Sequence, residues 1–358
     1  MARAPDIREG SKWRLGGFEL AILLALGLAA VVGARELWGG DDSGVSADRQ
    51  EAAVVAGRPA LGAAVDWGRL ESPGAYRRLF LAHYSSLTPE NELKMDALAP
   101  TPDGFDFSDA DDLVGWAIDH GVAVHGHTLV WHRQLPDWLT ERRWTRPALR
   151  AYLRRYVTTV VRHFRGRVGS WDVVNEPLTA SGGLRRSIWE RVLGPGYVAD
   201  ALRWAHAADP QARLYLNDFD LERPGPKSEA MYRLLRELRS EQAPLDAIGL
   251  QAHLTPRWRP TASELRTIMR RYAGLGLEVD ISELDVPVGH AGGALAEQAR
   301  IYRTVAAACR LLPACGRFTT WGFTDASTWL GSDRRPLPFS AAGEPKPAWR
   351  AIADELLR

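Results

Sequence analysis

The sequence predicts an α/β fold, a single (β/α)8 TIM barrel preceded by an N-terminal export signal or membrane anchor. Three observations predict it. Strand-like and helical segments alternate eight times after residue 45. A chain of 358 residues with 46% hydrophobic and 25% charged residues has an ordinary globular composition. Polar side chains cluster where the strand-like runs end, and a barrel of about 250 residues or more is commonly one domain.

The N-terminal segment is expected to lie outside this domain. Basic residues at 3, 8, 12 and 14 precede an uncharged apolar run at 20–34, which is typical of an export signal. An uncleaved anchor stays open, although the run is short for a span of about 20 residues. We therefore divide the chain into a signal peptide or signal-anchor at 1–34, a linker at 35–57 and the barrel at 58–358. The protein is expected to be secreted or anchored to the outer face of the membrane, with membrane contact only through 18–34.

Short apolar and β-branched runs predict the eight buried strands, and longer amphipathic segments predict the helices between them. Helix boundaries rest on Ser108 and Thr145 as N-terminal caps and on Pro210 and Gly274 as stops. The strands are predicted at 60–65, 85–88, 122–128, 170–175, 213–217, 247–251, 277–282 and 318–323. The helices are predicted at 71–82, 108–120, 145–164, 185–208, 227–241, 261–273, 294–311 and 346–357.

The net charge and the cysteine content of the chain limit the classes of function that it can have. A formal net charge of +1 argues against a nucleic-acid binder, which should carry a basic patch, and a monomer is expected. The two cysteines, Cys309 and Cys315, lie close together, and export favours a disulfide between them over a reduced buried pair. Two thiols without a nearby histidine do not predict a metal site. Of 14 tryptophans, most should pack in the core, and some are expected to line a cleft.

Two runs carry the chemistry. The run Trp-Asp-Val-Val-Asn-Glu-Pro at 171–177 and the run Glu-Val-Asp-Ile-Ser-Glu-Leu-Asp at 278–285 each bring a glutamate, Glu176 and Glu283, to the end of a strand. The two glutamates are 107 residues apart, so a closed fold is needed to bring them together. Paired carboxyl groups across one bond are what glycoside hydrolysis requires.

Similar polar groups end every predicted strand from the second to the eighth, at 88–94, 125–132, 175–176, 217–218, 251–253, 283–285 and 321–329. Together these motifs resemble the family 10 glycoside hydrolases, chiefly endo-β-1,4-xylanases, from about residue 58 to 357. The resemblance implies a catalytic domain at 58–358 in which Glu176 is the acid/base and Glu283 the nucleophile. It implies a retaining endo-β-1,4-xylanase that works through a covalent glycosyl-enzyme intermediate without a cofactor or metal. The expected partner is xylan or a related β-1,4-linked polysaccharide.

Neighbouring residues are expected to support this pair. Asp285 and His253 are placed to orient the nucleophile, Gln251 shares the face of His253, and by resemblance Asn175 bonds the sugar 2-hydroxyl. The resemblance also implies a sugar-binding set of Glu90, Asn91, Lys94, His127, Trp131, Trp321 and Trp329. Met95 departs from the family, which often has Trp there, so packing at that edge is expected to differ. The pair Cys309 and Cys315 resembles a disulfide of many family members.

Two other interpretations remain at this stage. The pattern His125-x-His127 would suit a metal-dependent barrel hydrolase, although later strand ends lack further obvious ligands. A non-catalytic carbohydrate-binding barrel would keep the tryptophans but would not need both glutamates. Within the enzyme interpretation, a related β-glycanase with other or mixed specificity is the alternative. Loops that look short apart from 324–345 predict an open groove and internal cleavage.

Overall fold

The computed structural model describes residues 58–289 and 294–358. The predicted export segment at 1–34 and the linker at 35–57 lie outside these residues. Among the helices of the described part, none is long and apolar enough to cross a membrane.

Eight parallel strands close into a barrel in sequence order, each paired with its chain neighbours and β8 paired with β1. This architecture confirms the predicted barrel, with strand ends displaced by no more than a few residues. The strands are β1 Ala60–Val65, β2 Ser86–Pro89, β3 Ala123–Gly126, β4 Ser170–Asn175, β5 Arg213–Asp218, β6 Ala247–Leu250, β7 Glu278–Leu284 and β8 Arg317–Thr320.

Helices connect the strands on the outside of the barrel. They are α1 Trp67–Leu70, α2 Ala75–His83, α3 Met95–Leu98, α4 Ser108–Asp119, α5 Asp137–Glu141, α6 Arg146–His163, α7 Ile188–Leu193, α8 Tyr197–Ala208, α9 Pro226–Ser240, α10 Ala262–Ala273, α11 Ala294–Arg310 and α12 Pro347–Leu356. The single helix predicted at 185–208 is wrong. Two helices stand there because Gly194, with φ of 77°, Pro195 and Gly196 interrupt it.

The helices bury one face each against the strands. In α6, Leu149, Leu153, Val157 and Val160 are completely buried, whereas the arginines of the same helix point outward. Apolar residues three and four positions apart give a helix this single buried stripe. Burial of such side chains contributes about 25 cal/mol per Å² of apolar surface, which is the main stabilisation of the barrel wall.

More of the loops at the carboxyl ends of the strands are long than the sequence predicts. The prediction that 324–345 is the one long loop is wrong, since residues 90–107 and 127–145 are also long and contain α3 and α5. All strands run parallel, so these loops meet at one rim of the barrel. A disulfide joins Cys309, at the end of α11, to Cys315, just before β8, with a sulfur–sulfur distance of 2.01 Å. This confirms the predicted pairing.

Candidate active site

A cleft of about 710 Å³ lies at the rim where the strands end. Its walls come from the ends of β2 through β8, and every sugar-binding and catalytic residue expected from the sequence lines it, except Asp285. The lining residues are Glu90, Asn91, Lys94, His127, Trp131, Arg133, Gln134, Asn175, Glu176, Phe219, Asp220, Gln251, His253, Glu283, Trp321 and Trp329.

Register shifts occur in both strands that carry the glutamates. The pairing of β4 with β5 shifts between Asp172 and Val174, and that of β7 with β8 shifts between Ile281 and Leu284. Such irregularities bend a strand and redirect its side chains. The shift in β7 spans Glu283, and the shift in β4 ends two residues before Glu176, so each glutamate stands near a change in the path of its strand.

Glu283 is held on both of its oxygens. Asn217 donates its Nδ2–H to Oε1 at 2.6 Å, and His253 Nε2 lies 3.1 Å from Oε2. Only 5% of the Glu283 side chain is exposed. Hydrogen bonds to both oxygens fix the orientation of the carboxylate.

His253 is itself fixed between two carboxylates. Its Nδ1 lies 3.0 Å from Asp285 Oδ2, which also accepts a hydrogen bond of 2.8 Å from Trp329 Nε1. Burial alone would lower the pKa of His253, but Asp285 and Glu283 outweigh burial and raise it well above 6.5. The raised pKa favours the protonated ring, which can donate to both carboxylates, and Asp285 acts from behind the cleft wall.

Glu176 has a different setting. It adopts a left-handed backbone with φ of 53°, and its N–H donates to the Asn217 carbonyl at 2.8 Å. Its carboxyl group has only longer contacts, 3.8 Å to His132 Nδ1 and 3.9 Å to Arg185 Nη2, and 13% of the side chain is exposed. Burial, reinforced by Arg185, lowers the pKa of His132 to about 4, so this neighbour is neutral. The Glu176 carboxyl group is therefore free to meet a ligand or water.

A chain of amides spans the floor between the two glutamates. Asn175 Oδ1 accepts hydrogen bonds from Asn217 Nδ2 at 3.1 Å and from Gln251 Nε2 at 3.0 Å. Ser282 Oγ donates to Asn217 Oδ1 at 2.7 Å. With its oxygen used by two donors, Asn175 can present its amide N–H groups to a ligand.

The side of the cleft that follows β2 carries two charged side chains, Lys94 and Glu90. Lys94 Nζ donates to Gln134 Oε1 at 2.6 Å and lies 5.1 Å from the Trp131 ring centroid, while Gln134 donates to Asn91 at 3.1 Å. Burial, with the Asp66 carboxylate, raises the pKa of Glu90 to about 7. This side offers several donors and acceptors for sugar hydroxyl groups.

The histidines at the end of β3, His125 within the strand and His127 just after it, do not share an open ligand face. His127 Nδ1 lies 2.8 Å from Asp172 Oδ2, and His125 Nε2 lies 3.1 Å from Asp172 Oδ1. Burial would raise the pKa of Asp172, but the two histidines hold it well below its usual range. In the described residues His127, Asp172 and Glu283 do bring possible ligand atoms within 4.8 Å of one another. Each oxygen of the two carboxylates already lies within 3.1 Å of a histidine or asparagine nitrogen, which fits a network that orients His127 better than a cation site.

Several lining residues were not predicted as site residues. Arg133, Gln134, Phe219 and Asp220 lie on loops beyond the strand ends, where no periodic pattern marks them. Asn217 was noted as a strand-end residue, but its hydrogen bond to Glu283 was not predicted. Behind Phe219, Lys227 Nζ lies 2.6 Å from Asp218 Oδ1 in a buried ion pair. Burial raises the pKa of Asp218 to about 7, although Lys227 opposes this.

Eight parallel strands whose rim carries two glutamates in one cleft, with amides and tryptophans around them, define a barrel of the glycoside hydrolase type. Residues 50–355 match the model of glycosyl hydrolase family 10, and the chain belongs to this family.

Relatives agree with this assignment. The chain is 40% identical over 286 residues to endo-1,4-beta-xylanase B of Thermotoga neapolitana, which covers 78% of this chain and 82% of that protein. Xylanase 10B from Thermotoga petrophila RKU-1, solved with xylobiose, superposes with a TM-score of 0.81 at 36% identity, covering 86% of this chain and 96% of the other. The chain spans only 26% of endo-1,4-beta-xylanase A of Thermoanaerobacterium saccharolyticum, to which it is 36% identical over 312 residues.

Proposed function

We propose that this protein is a retaining endo-β-1,4-xylanase that hydrolyses xylan by double displacement. One observation carries the proposal: the two glutamates share a cleft but have opposite settings. Glu283 is held on both oxygens, whereas the Glu176 carboxyl group has only long contacts. A retaining mechanism needs one carboxylate held for attack and a second carboxyl group able to exchange a proton with the leaving oxygen and then with water.

The steps follow from these settings. Glu283 attacks the anomeric carbon while Glu176 gives its proton to the departing oxygen, so a glycosyl-ester bond forms as the glycosidic bond breaks. Glu176 then takes a proton from water, the water oxygen attacks the same carbon, and the Glu283 carboxylate leaves. The amides of Asn175 and Gln251 lie between the two groups, where a sugar 2-hydroxyl would be bound.

The names of the relatives support xylan as substrate. Walls contributed by β2 through β8 allow a chain to extend to both sides of the glutamate pair, which supports internal cleavage. The proposal includes export or outer-face anchoring through 1–34, which rests on the basic residues and the apolar run of that segment.

Proton NMR during the first minutes of xylohexaose hydrolysis tests the mechanism. Two inversions at one carbon must release the β-anomer first, with the α-anomer growing only by mutarotation. A Glu283→Gln variant should show neither signal and serves as the control. An α-anomer that appears first would refute Glu283 as nucleophile, and failure to release any reducing ends would refute the enzymatic function.

A further inference from the structure

A second cavity, of about 800 Å³, lies on the outside of the barrel between α6 and α8. It shares no lining residue with the catalytic cleft. Its polar lining is dominated by Arg146, Arg150, Arg154, Arg155 and Arg162 of α6, with Trp204 of α8 on the opposite side. No acidic residue is among its lining residues. We call this cavity the arginine groove.

Three of these five arginines have no partner among the residues that the structure describes. Arg150 pairs with Asp200 at 2.9 Å, and Arg155 donates to the Pro102 carbonyl. The guanidinium groups of Arg146, Arg154 and Arg162 make no hydrogen bond or ion pair with any part of the chain that the structure describes. All three side chains are exposed. Because the whole chain has a net charge of only +1, this concentration of positive charge is local.

The arrangement is unfavourable for the helix by itself. Arg146, Arg150 and Arg154 follow one another at four-residue intervals, so successive members lie beside each other on α6, and Arg162 stands further along the same cavity wall. Like charges four residues apart destabilise a helix. Packing does not require their charges, since leucine, valine and tyrosine side chains supply the buried residues of α6. An anionic ligand in the groove would relieve this repulsion.

The dimensions suit a polymer. At 1.5 Å per residue, the stripe from Arg146 to Arg162 is about 24 Å long. Its first residue is at the start of α6, which follows β3 and therefore begins near the rim that holds the catalytic cleft. The half-buried Thr158 and Thr159 add hydroxyl groups to the lining. The surface is concave and contributes none of the large exposed apolar side chains, so it suits a chain better than a bilayer.

We propose that the arginine groove is a second, non-catalytic binding site for xylan that carries uronate side groups. The inference rests on the proposed function, because it narrows the substrate class from xylan in general to acidic xylan. A guanidinium group matches a carboxylate with two parallel hydrogen bonds, which neutral sugars cannot offer. Several arginines along one stripe capture sparse carboxylates without a fixed spacing. The groove holds the polymer beside the catalytic cleft.

The test compares two double charge reversals in a Glu283→Gln background that prevents hydrolysis. Arg154→Glu with Arg162→Glu changes the groove. Arg236→Glu with Arg350→Glu, at exposed positions of α9 and α12, gives the same charge change elsewhere. Binding to glucuronoxylan is measured by affinity electrophoresis, with carboxyl-reduced glucuronoxylan as the neutral ligand.

We expect the groove variant to bind glucuronoxylan at least about tenfold more weakly than the control variant, a loss of about 1.4 kcal/mol. Binding of the unchanged groove should weaken between about 0.05 and 0.5 M salt, where screening shortens from over 10 Å to a few ångströms. The carboxyl-reduced polymer should bind all variants equally. With Glu283 restored, the groove variant should turn over linear xylohexaose at the wild-type rate, which shows that it is folded.

Equal binding of the groove and control variants to glucuronoxylan would overturn the inference. So would a groove reversal that weakens binding to phosphatidylglycerol vesicles or to single-stranded DNA while glucuronoxylan binding is unchanged. Failure of the wild type to cleave linear xylohexaose would instead count against the proposed function alone.

Discussion

At the scale of single residues, the candidate site depends on the unequal contacts of two identical side chains. Asn217 and His253 restrain Glu283, whereas the left-handed backbone of Glu176 turns its carboxyl group toward the open cleft. The packing beneath Asn217 leaves little room for a larger side chain. A Cβ on Gly249 would lie 2.3 Å from Asn217 Oδ1, so only glycine leaves room for the amide that holds Glu283.

The different settings of Glu176 and Glu283 predict that azide restores reaction in their alanine variants with products of opposite anomeric configuration. Glu283→Ala removes the attacking oxygen, so neither xylan nor an activated aryl xyloside should be hydrolysed. Azide that occupies the space left by the carboxylate should give an α-glycosyl azide. Glu176→Ala removes the proton donor, which an activated aryl leaving group hardly needs, so that substrate should still form the intermediate. Azide should then attack from the opposite face and give a β-glycosyl azide. Xylan turnover should fall by about 10²-fold or more.

The two azide products are distinguished by their anomeric proton couplings in NMR. Asp106→Ala, an exposed carboxylate away from the cleft, should leave xylan turnover unchanged and controls for the loss of a charge. The same anomer from both glutamate variants would mean that the two roles are misassigned. Near-normal xylan turnover in either variant would remove that residue from the catalytic pair.

At the scale of elements, the sequence predicted the strands better than their irregularities. Parallel strands buried on both faces read as short apolar runs, so all eight were found, and their carboxyl ends predicted Glu176, Glu283, Gln251 and His253. The register shifts in β4 and β7 leave no such pattern, because a bulge changes pairing rather than composition. Loop residues such as Arg133 and Phe219 were missed because their position depends on tertiary packing.

The disulfide ties the end of α11 to the start of β8, and both sulfurs are buried. The cross-link spans six positions of sequence, so its loop is short and its entropic stabilisation should be about 2 kcal/mol. We expect reduction to lower the melting temperature by only a few degrees and to leave xylan turnover intact at moderate temperature.

Mass spectrometry after alkylation measures the state of the two cysteines, and calorimetry measures the melting temperature. A Cys309→Ala, Cys315→Ala double variant should match the reduced protein in stability and serves as its control. Alkylation of the native protein without a reductant would contradict the bond. Unfolding on reduction at room temperature would show that the link contributes far more than its loop length allows.

At the scale of the whole molecule, the charge that organises the site also links stability to pH. The groups that face His253 include Glu283, Asp285 and Glu222, and the raised pKa of His253 means that the folded state holds its proton more tightly than the unfolded state. A group of this kind contributes its full stabilisation below its unfolded pKa, here about 6.5, and loses it as the pH rises through the folded value. The stabilisation contributed by His253 should therefore be lost as the solution becomes alkaline.

We expect the difference in free energy of unfolding between the wild type and His253→Gln to be largest near pH 6 and to shrink as the pH rises through the raised pKa of His253. Guanidinium denaturation at a series of pH values measures it, and titrations common to both proteins cancel in the difference. His206→Gln, at an exposed position of α8, is the matched control and should give no comparable slope. A difference that stays constant with pH would mean that His253 is neutral in the folded protein. The neutral ring has one N–H, so it would then donate to only one of the two carboxylates, Glu283 or Asp285.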